Sequence, residues 1–433
     1  MVFDEESVID EESVITVLDN KGETIVAAGV STYVDHENAA YLDVVLNEAI
    51  GIIAEKYSLT AEEAKEHLLK NDYTIYTNFD AQISSTLNEA CKKYGGKTNL
   101  GGAITNLDGD LLAVSSVSPE NQNRVNYSLK KSQPCSAFKP LAVYAPAIEK
   151  KITNWSSIYF DSPYSKIKGE DGTERAWPAN ASGTYSHTGV TVAKAVATSL
   201  NTVAVKCLSD YGVNNSIDFL EKNFGINLDY EKKQSALHGE NEVIGNIALG
   251  STYKGVSTVD MAGYYQIFAN GGVYSSPKAI VKILDADGNT VYEREKQKNQ
   301  VISEGTSKIA NELLQGVVKD IQGTGKKAFC ENVPVAGKTG TSENNEDNWF
   351  VGITPQYSCA LWHSSGERNT CPEIFSEIFK NIEHEKFSFP KTQAVAEKIY
   401  CLSSGCLASK DCKTFEMGYY AYGTPVPYCD IHK

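Results

Sequence analysis

The stretch Lys130–Lys150, KKSQPCSAFKPLAVYAPAIEK, changes character part-way: a polar, turn-forming run gives way after Pro134 to residues with apolar periodicity. That change predicts a helix from Ser136 to Lys150, and it places Ser136 and Lys139 on one face of the first turn. A serine hydroxyl is a poor nucleophile at neutral pH until a neighbouring base takes its proton. Backbone N–H groups and the positive dipole end of a helix start favour an oxyanion beside Ser136 and help depress the pKa of Lys139. The pair therefore fits a nucleophile with its own base. A solvated serine and a solvated lysine would give the same letters, so the decision rests on what accompanies them.

Two further segments do. TSLNTVAVKC supplies Ser199 and Asn201, a hydroxyl and an amide suited to relaying a proton and holding a peptide carbonyl. VAGKTGTS supplies Lys338, Thr339, Gly340 and Thr341 on a predicted strand, where alternate residues share a face and the glycine permits close backbone approach. A cation and hydroxyls so placed suit a substrate carboxylate. S-x-x-K, then S-x-N, then K-T-G, with gaps of about 60 and about 137 residues, is far more specific than any one motif.

The rest of the chain supplies a frame. DEESVIDEESVI, Asp4 to Ile15, is an acidic six-residue unit written twice. Two alternating β-branched runs around Asn20-Lys21-Gly22 predict a hairpin, and a helical pattern follows with a start signal at Thr60 and Glu63. Residues 1–72 thus read as a separate hairpin and helical linker module. From Tyr73 come a strand and a helix, then a hairpin turning at Asp108-Gly109. Helices are expected around Ser136–Lys150, Thr191–Tyr211, Ser216–Phe224 and Thr258–Asn270. Strands resume in KAIVKILDADGNTVYE, PVAGKTGTS, NWFVGITP and YSCALWHS. Strands at both ends with helices between them predict an α/β (α+β) fold, an antiparallel sheet flanked by helices with an inserted all-helical subdomain. The main domain is expected over 73–400 and a cysteine-rich tail over 401–433.

Composition narrows the partners. With 433 residues, 41% of them hydrophobic, the chain can bury a large core. Its formal net charge of -15 repels phosphate backbones, so no nucleic-acid partner is expected. No stretch has the roughly 18–20 apolar residues of a membrane span, and no signal peptide is visible. Of ten cysteines, Cys401, Cys406, Cys412 and Cys429 crowd the tail. They read as disulfides of an oxidising compartment, with three possible pairings. Zinc is the rival, since Cys429 and His432 are neighbours, but C-x4-C and C-x5-C spacings lack the C-x2-C knuckle of most zinc sites.

Other readings of the motifs fail on single residues. VAGKTGT is no phosphate loop, because Asn332 stands where the first glycine belongs and Pro334 intrudes. GTGKKA at Gly323 follows a helical pattern rather than a strand. No G-x-S-x-G turn is present, and His187 and His363 read as surface or structural residues.

With these motifs in order, the chain resembles the transpeptidase domain of class A penicillin-binding proteins. YTIYTNFDAQI, WPANASGTYSHTGVTVAKAVATSLNTVAVKC, ALGSTYKGVSTVDMAGYYQIFANGGVYSSPKAI, GTGKKA and EDNWFVGITPQYSCALW resemble that family's segments in the family's order, over residues 36–433. The resemblance implies a serine D,D-transpeptidase that forms an acyl-enzyme on Ser136 from a D-Ala-D-Ala stem peptide and passes it to an amine acceptor. It implies Lys139 as base, Ser199 as proton shuttle, Asn201 on the substrate amide and Lys338 setting the local field. Thr339, Gly340 and Thr341 would bind the terminal carboxylate, Trp177 would line the cleft, and the N–H groups of Ser136 and Thr341 would form the oxyanion hole. β-Lactams would acylate Ser136. No cofactor or catalytic metal is implied. Cys135 departs from the family, which usually has glycine there. The family's glycosyltransferase domain and membrane anchor are not seen, so the resemblance leaves two readings, a fragment of a longer class A protein or a free transpeptidase module that relies on a separate glycosyltransferase or membrane-anchored partner, with placement outside the membrane expected in both. D,D-carboxypeptidase, β-lactamase and a non-catalytic β-lactam or peptidoglycan receptor are the alternatives.

Overall fold

The computed structural model describes residues 13–29, 37–119, 125–169, 172–364, 366 and 368–432, so most of the duplicated acidic unit lies outside the described residues. Strands buried almost without interruption build the central sheet. Its strands are β4 (Leu100–Asn106), β5 (Leu111–Val117), β14 (Ala336–Thr341), β15 (Asp347–Ile353) and β16 (Tyr357–Ser364), in the order β14-β15-β16-β4-β5, all antiparallel. Along β15, Trp349, Val351 and Ile353 enter one core together with Phe138, Tyr265 and Trp362. Phe350 points the other way, into a second core with Leu87 and Phe375. Those two residues belong to α3 (Ala81–Tyr94) and α12 (Cys371–Asn381), so helices cover both faces of the sheet. The β4–β5 hairpin turns at Gly109, whose φ of 81° is the left-handed conformation glycine adopts freely.

Between β5 and β14 the chain is largely helical, as the sequence predicts. After α4 (Ala145–Glu149) come α5 (Val192–Thr198), α6 (Asn201–Tyr211), α7 (Val213–Phe224), α8 (Asp229–His238), α9 (Glu240–Leu249), α10 (Thr258–Tyr265) and α11 (Glu304–Lys319). The pair α8 and α9 was not expected. Only Glu231 and Ser235 are buried on α8, so no apolar stripe announces it. Short strands β6 (Ile158–Phe160) with β9 (Gly189–Thr191), β7 (Ser165–Lys168) with β8 (Glu174–Trp177), and β10 (Val273–Tyr274) with β13 (Asn299–Gln300) pair locally. No described helix is long and apolar enough to cross a membrane.

A second sheet contains β1 (Ile15–Leu18), β2 (Thr24–Ala28), β3 (Tyr73–Thr77), β11 (Ile280–Asp285) and β12 (Thr290–Glu293), in the order β12-β11-β3-β1-β2. The hairpin expected at Asn20-Lys21-Gly22 is there, and the strand segment KAIVKILDADGNTVYE forms a hairpin of β11 with β12, but β1 also pairs with β3 in parallel. Strand pairing therefore crosses residue 72 and joins the expected N-terminal module to residues 280–293. The reason is the unpaired edge of an apolar strand, which pairs when a neighbour is available; Ile15 and Val17 are fully buried as a result. Between these strands run α1 (Ala39–Tyr57) and α2 (Ala61–Lys70), the latter closed by the predicted Thr60–Glu63 capping box.

The tail begins as a hairpin of β17 (Val395–Cys401) and β18 (Phe415–Ala421) against α11. None of the ten cysteines is in a disulfide, which corrects the expected cross-linking. Cys401, Cys412 and Cys429 instead surround His432, an arrangement of three sulfurs and a nitrogen in which no two sulfurs are bonded to each other.

Candidate active site

The helix expected from Ser136 is wound irregularly: a 3₁₀ turn over Cys135–Phe138, a π turn over Pro140–Tyr144, then α4. Pro140 has no N–H to offer the Ser136 carbonyl, and the Lys139 N–H takes that acceptor instead. Carbonyls exposed by the irregular winding find side chains. Tyr265 Oη donates to Ala137 O at 2.5 Å and Ser216 Oγ donates to Ala142 O at 2.6 Å. Upstream, Cys135 N–H donates to Gly250 O at 3.1 Å and Trp349 Nε1 donates to Gln133 O at 2.8 Å. Cys135 sits at φ 51°, where a side chain is strained and glycine is not. Burial, with the Asp347 carboxylate adding to it, pushes its thiol up, which favours the protonated form. Ser136 Oγ itself is half-buried and makes no hydrogen bond among the described residues.

Lys139 is fully buried, and its Nζ donates to Ser199 O at 2.9 Å and Asn201 Oδ1 at 2.7 Å. Burial lowers its pKa well below the ordinary lysine value, and the nearby Lys338 lowers it further. The S-x-N segment is the joint between α5 and α6: Ser199, at φ 60°, ends one helix and Asn201 begins the next. Lys338, also fully buried, donates from Nζ to Ser199 Oγ at 2.7 Å, and burial brings its pKa down to about 7. One chain of hydrogen bonds thus links Asn201, Lys139, Ser199 and Lys338.

Strand β14 is an edge strand. Ser342 N–H donates inward to Asp347 O at 2.9 Å, so ladder alternation leaves the N–H groups of Thr339 and Thr341 on the open edge. Gly340 has to be glycine: a Cβ there would stand 2.5 Å from Pro134 O and 3.2 Å from Ala137 N, the turn that carries Ser136. Thr339 Oγ1 lies 2.7 Å from Thr324 Oγ1, and Thr341 Oγ1 donates to Gly340 O at 2.8 Å. A cleft of about 750 Å³ is lined by Ser136, Asn201 and Thr341, one from each motif, with Lys130, Lys254 and Asp347 among the other walls.

Trp177 does not line this cleft. It packs edge-on against Tyr164 with ring centroids 6.2 Å apart, and covers Gly245 of α9. His363 accepts from Thr370 N–H at 3.2 Å and stands apart from the hydrogen-bonded chain.

Sequence reasoning missed the support beneath Asn201. Asn180 Oδ1 accepts its backbone N–H at 3.0 Å, and Asn180 Nδ2 donates to Asp161 Oδ1 at 2.8 Å. Asp161 also accepts from Thr202 Oγ1 and Ser186 N–H, each at 2.7 Å. Burial pushes this carboxyl up, but these hydrogen bonds outweigh it and hold the pKa below the usual value. Asn369 was also missed; its Nδ2 bridges Gly340 O at 3.0 Å and Trp349 O at 2.8 Å and so ties β14 to β15. Neither residue carries a signal in a single sequence, since Asp and Asn are common in loops.

With this geometry in view, the comparisons are direct. The model of the penicillin-binding protein transpeptidase domain matches residues 103–382. The chain belongs to the penicillin-binding protein transpeptidase family. Penicillin-binding protein 1A of Clostridium acetobutylicum is 31% identical over 364 residues, 78% of this chain and 44% of that protein. The chain thus spans about half the length of the curated relatives it matches. The D,D-transpeptidase domain of a peptidoglycan glycosyltransferase from Eggerthella lenta superposes with a TM-score of 0.65 at 19% identity, covering 86% of this chain and 98% of that one. The penicillin-binding protein PonA1 of Mycobacterium tuberculosis, solved in complex with penicillin V, does so with a TM-score of 0.63 at 17% identity, over 81% and 96%. The chain's fold is that of penicillin-binding transpeptidase domains, and its relatives are class A proteins.

Proposed function

We propose that this penicillin-binding transpeptidase domain cross-links peptidoglycan as a serine D,D-transpeptidase, through an acyl-enzyme on Ser136. The observation that carries the reading is the placement of Lys139, fully buried with its Nζ held by Ser199 O and Asn201 Oδ1, which favours the neutral amine. A neutral amine has two N–H donors and one lone pair; Ser199 O and Asn201 Oδ1 take the two donors, and the lone pair is left for the hydroxyl one turn earlier.

Ser136 Oγ attacks the penultimate D-alanine carbonyl and its proton passes to Lys139 Nζ. The developing oxyanion meets the N–H groups of Ser136 and Thr341, each donor worth about 3 kcal/mol. Asn201 orients the substrate amide through its Nδ2 face, and Thr339 and Thr341 hold the terminal carboxylate along the open edge of β14. Ser199 Oγ delivers a proton to the departing D-alanine nitrogen and is resupplied by Lys338 Nζ, 2.7 Å away. An amine from a second stem peptide then attacks the ester; its proton passes through Ser199 Oγ back to Lys338 Nζ, the proton held on Lys139 Nζ returns to Ser136 Oγ, and the free hydroxyl is restored. A β-lactam follows the first half of this course and stops there, as the penicillin V complex of PonA1 suggests. The site lies outside the membrane in this reading, where its substrate is, and works beside a glycosyltransferase that makes the glycan strands.

Labelling with a fluorescent penicillin tests it. The unaltered chain should carry one covalent label, which Ser136→Ala abolishes; absence of label on the unaltered chain would defeat the proposal. Product analysis with a D-Ala-D-Ala peptide and an added amine separates transfer from hydrolysis.

A further inference from the structure

Far from the cleft, the tail brings four metal-binding side chains together. The Sγ atoms of Cys401, Cys412 and Cys429 and a ring nitrogen of His432 all lie within 4.8 Å of one another. His432 Nδ1 is 3.4 Å from Cys401 Sγ and 3.4 Å from Cys429 Sγ. The three cysteines are buried. We propose that Cys401, Cys412, Cys429 and His432 bind one zinc ion as a tetrahedral Cys3His site that fixes the C-terminal segment onto the domain.

Donor type and number favour this over the disulfides. A disulfide brings two sulfurs to about 2.05 Å and joins them in pairs. Three cysteines around one point would leave an odd thiol, and the histidine would have no part. A tetrahedron with Zn–S of about 2.3 Å and Zn–N of about 2.0 Å separates its corners by roughly 3.5–3.8 Å, close to the sulfur-to-nitrogen spacing here, and it uses all four groups. Three thiolates and one imidazole suit zinc rather than magnesium or calcium, which prefer oxygen. Binding requires neutral imidazole and releases three thiol protons to solvent. Cys406 stands outside the set, its Sγ turned to Ser404 O at 3.7 Å.

Chain path supports the assignment. Cys401 ends β17, and its N–H donates to Cys406 O at 2.8 Å. Leu407 N–H then donates to Pro427 O at 2.8 Å and Leu407 O accepts from Cys429 N–H at 2.7 Å, which lays the last segment beside the first. Cys429 and His432 make the two-residue knuckle that the cysteine spacings alone did not offer. Ser409 N–H donates to Cys412 Sγ at 3.3 Å, the kind of outer contact that orients a thiolate ligand.

The tail also needs such a link. Among the described residues its apolar core, apart from the three cysteines, is made of the buried Tyr400, Leu407 and Tyr420, and a segment this small does not hold together on apolar burial alone. What it braces is the domain itself. Gly405 O accepts from Ser156 Oγ, and β18 packs on α11, which in turn lies along the K-T-G strand.

The experiment uses the full untagged chain, purified under reducing conditions with zinc in the growth medium and without chelator. Metal analysis should find about one zinc per chain, the stoichiometry of a closed four-ligand site. Cys412→Ser and His432→Ala should lose it, and Cys406→Ser should keep it. Cobalt exchanged into the unaltered chain should give the intense visible bands and thiolate charge transfer of tetrahedral sulfur-rich coordination, a readout that does not depend on any variant folding. Penicillin labelling reports whether each variant retains the domain. A chain without zinc, a mass two hydrogens low for each bridge between these cysteines, iron at the same stoichiometry, or zinc kept by both Cys412→Ser and His432→Ala would overturn the proposal.

Discussion

Lys338 Nζ donates to Ser199 Oγ at 2.7 Å. Lys139 Nζ donates to the carbonyl of the same serine at 2.9 Å, so two fully buried amines meet at one residue. Among the described residues neither has an ion-pair partner. Two ammonium groups so placed would leave two uncompensated charges in a low dielectric, which explains why burial drives both toward the neutral form. Burial comes first at Lys139, and the neighbouring Lys338 adds to it in the same direction.

A pH dependence of stability follows. Burial places Lys338 at about 7 when folded, against roughly 10.4 in an unfolded chain. Between those values the unfolded chain holds a proton that the folded chain has lost, so stability rises with pH across the window, by at most about 1.4 kcal/mol per unit for this group. Lys139, lowered by the same cause, contributes with the same sign. Denaturant titrations at about pH 7 and about pH 9 should show that gain, and Lys338→Met should flatten it. Parallel gains in both proteins would mean that Lys338 is not the titrating group.

Asn201→Asp tests the base. Its Oδ1 accepts from Lys139 at 2.7 Å, and a carboxylate there would hold the lysine protonated. Penicillin acylation at neutral pH should fall by about 10²–10⁴-fold, the usual size of a general-base contribution, and recover partly as pH rises. Asn201→Ala should slow acylation without moving the pH limb so far. Rate against pH for the three proteins decides; a limb unmoved in Asn201→Asp would argue against Lys139 as the base.

Much of this architecture is legible in the sequence because it rests on local signals. The short apolar runs in NWFVGITP and YSCALWHS announce β15 and β16, Asp108-Gly109 announces a turn, and Thr60 with Glu63 announces a helix start. The three motifs are legible as letters, and the fold supplies their meeting point. What stays hidden depends on distant chain. The pairing of β1 with β3 needs two strands nearly sixty residues apart. Helix α8 has too little apolar surface to show a period. The helix expected over Ser136–Lys150 gives no sign of its 3₁₀ and π turns, which depend on donors supplied by Ser216 and Tyr265. In the tail, cysteine spacing alone suggested bridges, because His432 becomes a neighbour of Cys401 only after the last segment folds back.

The clearest omission, Asp161, yields the third prediction. It touches none of the residues assigned to the reaction, yet it fixes Asn180, whose side chain holds the backbone of Asn201. Asp161→Ala would strand the buried donors of Thr202 and Asn180, at about 1–3 kcal/mol for each group left unsatisfied, and would free the N–H of the exposed Ser186. Relaxation reduces the sum, so a loss of about 2–4 kcal/mol in unfolding free energy is expected. Its carboxyl is held below the usual value, so the stability it contributes is present above the unfolded pKa of about 3.9 and is lost as pH falls through the folded one. Unaltered protein and Asp161→Ala should therefore converge in stability toward acid. Acylation measured well below the variant's melting temperature should slow by more than about ten-fold, because a displaced Asn201 no longer holds Lys139. If stability fell and acylation stayed unchanged, Asp161 would serve the fold alone, and the positioning of Asn201 would have to come from Ala179 O, which accepts its Nδ2 at 2.7 Å.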